Sequence, residues 1–271
     1  YETTYTYDKA GNLLPVTDDS GTIRRSYDKL NRVIQVTDCN GKTITYGYDE
    51  LGNVISLTYP GGERVRYRYD ACQNLTHMVD AAGKETQYRY DAAGNLTKTI
   101  RPDGSVEERS YDRAGRLSVL KDVSGGEIIQ HLCYTYDALG NITGIEDKAE
   151  SVQTKAKEPS SMTCTYGADN RLLTWNGKKV LYDEKGNMTH GPVDGDMAEL
   201  SYDVYDRLVR VVTADGAVTK YFYDAEDVRI GAEYTDADGS TRTETFVTDR
   251  QSTYSRLLTV TSDAKTTTYS Y

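Results

Sequence analysis

The sequence predicts an all-β protein: a long antiparallel ribbon of β-hairpin repeats, twisted and curled into a spiral or partial shell. Three observations carry that prediction. A Tyr opens a similar line at Tyr7, Tyr27, Tyr48, Tyr69, Tyr90, Tyr111, Tyr136, Tyr166, Tyr182, Tyr202 and Tyr223, with a dominant spacing of 21 residues. Eleven Tyr-Asp dipeptides occur, against roughly two expected from the composition, so the repetition is not accidental. Between the turn-forming residues lie runs of about six residues rich in β-branched and aromatic side chains, the length and chemistry of strands.

Each unit divides into two turns and two strands. Four residues after each opening Tyr stand Gly11, Asn31, Gly52, Gln73, Gly94, Gly115, Gly140, Asn170, Gly186, Asp206 and Asp227. Gln apart, these are the types that tolerate a positive φ. The frame Asp-x-x-Gly therefore predicts a type I turn followed by a left-handed residue, the common three-residue hairpin loop. Its Asp accepts the N–H two residues on. The predicted turn residues are Tyr7, Asp8 and Gly11; Tyr48, Asp49 and Gly52; Tyr90, Asp91 and Gly94; Tyr111, Asp112 and Gly115; Tyr136, Asp137 and Gly140; and Tyr182, Asp183 and Gly186.

A second turn follows ten residues later, written DDSG, DCNG, YPGG, DAAG, RPDG or TADG. In the strand between, Thr86, Tyr88 and Tyr90 share one face while Gln87 and Arg89 take the other. Strands such as RLVRVV place apolar residues on both sides, so partial cover is expected on both faces. About twenty antiparallel neighbours at ~4.8 Å make a ribbon on the order of 100 Å long. Open sheets of more than about ten strands curl, split or flatten.

Three stretches follow: regular repeats over 1–143, a polar insertion or long loop over 144–163 with room for a short helix from Asp147 to Lys157, and less regular repeats over 164–271. The chain starts at a Tyr inside the pattern and ends on the strand-like TTTYSY. It is expected to be an internal piece of a longer protein.

Composition narrows the function classes. A net charge of -10 and a pI near 4.9 argue against a nucleic-acid partner, and no basic stripe interleaved with aromatics stands out. No run of 18 apolar residues exists to insert in a membrane. Cys39, Cys72, Cys133 and Cys164 lie 33, 61 and 31 residues apart, without the close pairs of a zinc or redox site. His77, His131 and His190 are equally scattered, so no metal or cofactor is expected. PVDGDMAE and YTDADGSTRTE lack the ligand order of a calcium loop and read as turns. Glycosylation sequons at Asn74, Asn95, Asn141 and Asn187 all fall on one position of the repeat, so repetition alone produces them.

These units resemble the YD repeats of the RHS (rearrangement hot-spot) family, related to the shell of bacterial insecticidal toxin complexes and to animal teneurins. The resemblance spans essentially the whole chain. It is sharpest in YDAAGNLTKTIRPDG, YDRAGRLSVL, YGADNRLLTWNGKKVLYDEKGNMTHG and YDVYDRLVRVVTADGAVTKYFYDAEDVRI, and FVTDRQSTYSRLLTV is similar to the stretch preceding the family's core domain. It implies a sheet that spirals into a hollow shell around a C-terminal toxic domain, in a secreted or cell-surface bacterial protein. Its partners are then the remaining repeats and the C-terminal domain of the parent chain. The DPxG motifs of the core self-protease are absent, so no proteolytic residue is carried over.

The functional expectation is a non-catalytic scaffold, since turns and strands account for every recurring residue. The alternative is a carbohydrate- or cell-surface-binding module whose exposed Tyr rows contact glycans. An enzyme ranks third, because no converging set of groups is visible.

Overall fold

A computed structural model describes residues 2–149, 163–251, 255–263 and 265–270. Among them are twenty-six β-strands and no helix. Fourteen strands, from Thr4–Tyr7 to Ile142–Asp147, pair in strict chain order; three form a small sheet starting at Cys164–Tyr166; nine, from Leu181–Tyr182 to Lys265–Thr268, form the last. Neighbouring strands run antiparallel and each sheet is open, so the strands follow one another as hairpins. The chain divides into two compact units, one holding Tyr1–Ile44 with Pro159–Tyr269, the other Thr45–Glu158 with Ser270–Tyr271.

The first unit buries Val16, Ile23, Val36 and Ile44 from its early strands and Leu200, Val211, Ala232, Val247 and Leu258 from its late ones. In the second unit the buried row crosses the strands by register. Tyr46 faces Leu57, which faces Val65; then Tyr67 faces Met78 and Met78 faces Thr86; then Tyr88 faces Thr99 and Thr99 faces Glu107. Burying Leu57 or Val65 contributes about 1.5–3 kcal/mol each. Further along the row Thr99 and Glu107 are buried polar groups, and Glu107 is neutralised by Arg101 at 2.8 Å and by Arg109.

The opposite face of that sheet exposes arginines. Arg64, Arg66 and Arg68 alternate with Val65 and Tyr67 and are exposed, as is Arg89. The exposed arginines apart, residues of this face such as Ser56, His77, Val79 and Gln87 are half-buried. Register places Arg68 beside His77, and Arg89 beside Lys98. The cations of this face are partly neutralised on it, since Lys98 pairs with Glu108 at 2.9 Å and His77 lies 3.8 Å from Glu85.

Residues 144–147 of the expected insertion belong to the strand Ile142–Asp147. The helix expected from Asp147 to Lys157 lies, beyond residue 149, outside the described residues.

Candidate functional site

The recurring site is the turn itself, and the hairpin at Tyr90 shows how it is built. Asp91 N–H donates to Asn95 O at 3.0 Å and Gly94 N–H to Asp91 O at 3.1 Å, closing a turn with Gly94 at φ +84°. The Asp91 Oδ1 accepts the N–H groups of Ala93 and Asn95, each at 2.9 Å, and Oδ2 accepts Asn95 Nδ2 at 2.9 Å. One carboxylate thus satisfies two amides that no strand partner reaches. The Asn95 side chain, followed by its backbone N–H, holds the Asp91 carboxyl below the usual range. Asp8, Asp49 and Asp137 are lowered in the same way by Asn12, Asn53 and Asn141.

The donor four residues after the Asp is interchangeable between two chemistries. Asn supplies Nδ2 to Asp8, Asp49, Asp70, Asp91, Asp137 and Asp183; Arg32, Arg116 and Arg207 supply Nε at 2.7 Å to Asp28, Asp112 and Asp203. An Arg there reaches further. Arg116 lies 4.6 Å from the centre of the Tyr136 ring and donates Nη1 to Asp137 O at 3.1 Å. Every left-handed position named from the sequence has a positive φ, from +59° at Asn170 to +95° at Gly186, and Gln73 adopts +64°.

The opening Tyr ties one repeat to the one before. Tyr90 donates its hydroxyl to Leu75 O at 2.9 Å, Tyr111 to Leu96 O at 2.8 Å, Tyr136 to Leu117 O at 2.6 Å and Tyr182 to Leu172 O at 2.9 Å. Tyr27, Tyr69, Tyr202 and Tyr223 do the same toward Leu13, Val54, Met188 and Leu208. Each accepting carbonyl belongs to the residue just past the previous unit's first turn. Tyr7 is exposed, and Tyr48 faces Val54 in the strand register. Sequence reasoning assigned the hydroxyls no partner, since each acceptor is a backbone atom of any residue type in another strand.

A family model described as RHS Repeat matches residues 27–64, 52–85, 69–106 and 202–241. Residues 27–106 and 202–241 are thus RHS repeats. The matched stretches are those in which the Tyr latch and the Asp turn recur with least interruption. No curated protein matches the chain. Among solved structures, the chain superposes on TcdB2-TccC3-Cdc42 with a TM-score of 0.66 at 16% identity over 97% of its length. It matches the Photorhabdus luminescens Tc holotoxin pore with a TM-score of 0.65 at 15% identity over 96%. The chain spans 18% of the length of each of those two chains. At such identity the likeness shows the fold alone, a run of antiparallel β-hairpins.

Beyond the turns, the first unit has a concavity of about 1040 Å³. Ser20, Asn40, Tyr205, Arg207 and Phe222 are among its walls, and Tyr205 and Phe222 are exposed. The acidic runs at 192–199 and 234–244 form hairpin turns, with Val193 opposite Asp196 and Gly239 N–H on Asp236 O at 2.8 Å. Among the described residues no group of three or more His, Cys, Asp or Glu is placed to hold a metal, and all four cysteines are free thiols.

Proposed function

We propose that the chain is a stretch of wall in a large secreted or surface-exposed bacterial protein, whose RHS repeats enclose a toxic C-terminal domain of the same polypeptide. The observation that carries this reading is the Tyr latch. Each hairpin presents a carbonyl just past its turn that the next hairpin's Tyr90-type hydroxyl engages, so repeats add without limit to a continuous sheet. The fold likeness to Tc toxin chains supports it. The wall itself is read as non-catalytic, its recurring side chains being committed to turns and latches.

The test is protease protection in the complete parent protein. The C-terminal domain is expected to resist digestion while the wall is intact and to be digested once the wall is unfolded by denaturant. Digestion at the same rate in the intact parent and in the isolated domain overturns enclosure.

A glycan-binding reading moves to a different place from the one first expected. Latched tyrosines such as Tyr90 and Tyr111 have their hydroxyls committed and their rings half-buried, whereas Tyr205 and Phe222 are exposed beside the 1040 Å³ concavity. An exposed aromatic pair beside a concave wall suits stacking against sugar rings. Glycan-array binding abolished by Tyr205→Ala with Phe222→Ala, in a folded variant, favours this reading; array binding unaffected by the pair removes it.

A further inference from the structure

Nine of the turn aspartates obtain their Oδ2 donor from Asn or Arg four residues on; Asp224 does not, because Val228 occupies that position. Asp224 is nevertheless fully buried. Its Oδ1 accepts the N–H groups of Glu226 at 3.0 Å and Val228 at 3.2 Å, and its Oδ2 is engaged by the Arg250 guanidinium, which follows the strand Thr241–Asp249. Arg250 also donates Nη1 to Glu226 Oε2 at 2.8 Å. Glu226 in turn takes Arg25 Nη2, from the strand Gly21–Tyr27, at 2.5 Å on both oxygens. The Arg25 and Arg250 side chains are only 9% and 10% exposed. One turn is thus gripped by an arginine 201 residues earlier and another 24 residues later.

We propose that Arg25, Asp224, Glu226 and Arg250 form a clasp that fastens the first hairpins of this unit to its last ones, with Val228 leaving the turn aspartate free to enter it. Removing one member of a buried ion pair leaves the other charge uncompensated in a poorly solvated site. Arg25 Nη1 is already buried without a partner, so Arg25 depends on Glu226 for its neutralisation.

The groups around the clasp are Arg25 and Tyr27 from the early strand, Asp38 and Cys39 from the turn after Val33–Thr37, Asp224 and Glu226 from their own turn, and Arg250 just past the late strand. Burial raises the Tyr27 hydroxyl, and pushes the Cys39 thiol up to about 11, so both stay neutral. Arg250, despite burial, is held charged by Asp224 and Glu226.

The experiment is hydrogen exchange on this chain at about pH 7, comparing the wild type with Glu226→Gln. Glu226→Gln is expected to speed exchange on the order of tenfold or more in 21–27 and 224–228, with 64–69 of the other unit unchanged. Arg25→Met, which keeps an apolar stem, gives the same pattern and is read alone if Glu226→Gln does not fold. The double variant adds little to either single one, since both remove one interaction. Unchanged protection at 21–27 in the variants, or loosening that is equal in 64–69, overturns the clasp.

Discussion

Tyr90 shows what a single residue does in this architecture. Its ring lies half-buried beside Leu96 in the register and its hydroxyl satisfies the Leu75 carbonyl of the preceding repeat. Tyr90→Phe keeps the ring and strands that carbonyl, so urea unfolding should show a loss of about 1 kcal/mol. Tyr7→Phe, at an exposed hydroxyl, should show almost none. The spacing of the tyrosines was legible because it is a property of the sequence; the target of the hydroxyl was not, because Leu75 enters through a backbone atom that leaves no mark on residue type. The turn aspartates carry a second prediction. The folded pKa of Asp91 lies below its unfolded value of 3.8, so its contribution is complete above that value and fades as pH falls through the folded pKa. Asp91→Asn should flatten part of the acid limb of a stability–pH curve measured by chemical denaturation. Asp38 has the opposite sign. Burial raises its carboxyl, so stability is greatest while it is protonated and declines as pH rises from the unfolded value of 3.8 to the folded one. Asp38→Asn keeps an oxygen for the Asn40 and Lys42 amides and should raise the melting temperature at neutral pH.

At the scale of the hairpin, the left-handed position trades backbone ease against a bond to the next turn. A methyl group at Gly94 would meet nothing within 4 Å, so Gly94→Ala is opposed by its φ of +84° alone and should cost about 1 kcal/mol. Gln73, at φ +64°, bears that strain already; Gln73→Gly should therefore stabilise by about 1 kcal/mol. Asn31 is different. Its Oδ1 accepts Asn12 Nδ2 at 2.9 Å from the preceding turn, as Asp206 does from Asn187 and Asp227 from Arg207. Asn31→Gly relieves the backbone but loses the bond, so its thermal melt should move little. The turn type was legible in Asp-x-x-Gly because positive φ selects few residues. The pairing of one turn with the next was not, since it joins residues 19 or 20 apart whose proximity depends on register. The clasp was hidden more deeply: Val228 reads as an ordinary strand residue, and only the folded turn reveals the donor that it fails to supply.

At the scale of the whole molecule, the repeat predicts which deletions are tolerated. Excising residues 70–90 removes one 21-residue unit and joins Tyr69 to Asp91. Tyr69 keeps its bond to Val54 O, Asp91 and Asn95 take the places of Asp70 and Asn74, Leu96 replaces Leu75 opposite Tyr69, and Tyr111 keeps Leu96 O. Every class of contact is rebuilt by an equivalent residue, so the shortened chain should fold, keep a strand-type circular dichroism spectrum and melt close to the parent. Excising 80–90 removes a single strand and one turn. The strand Leu96–Ile100 then runs against Leu75–Val79, the Leu75 carbonyl loses its tyrosine, and later Tyr-Asp turns move to the other edge of the sheet. That variant should melt well below the 21-residue deletion or fail to fold. Equal melting of the two would mean that strand number alone, and not the latched pair of hairpin arms, is the unit from which this sheet is assembled.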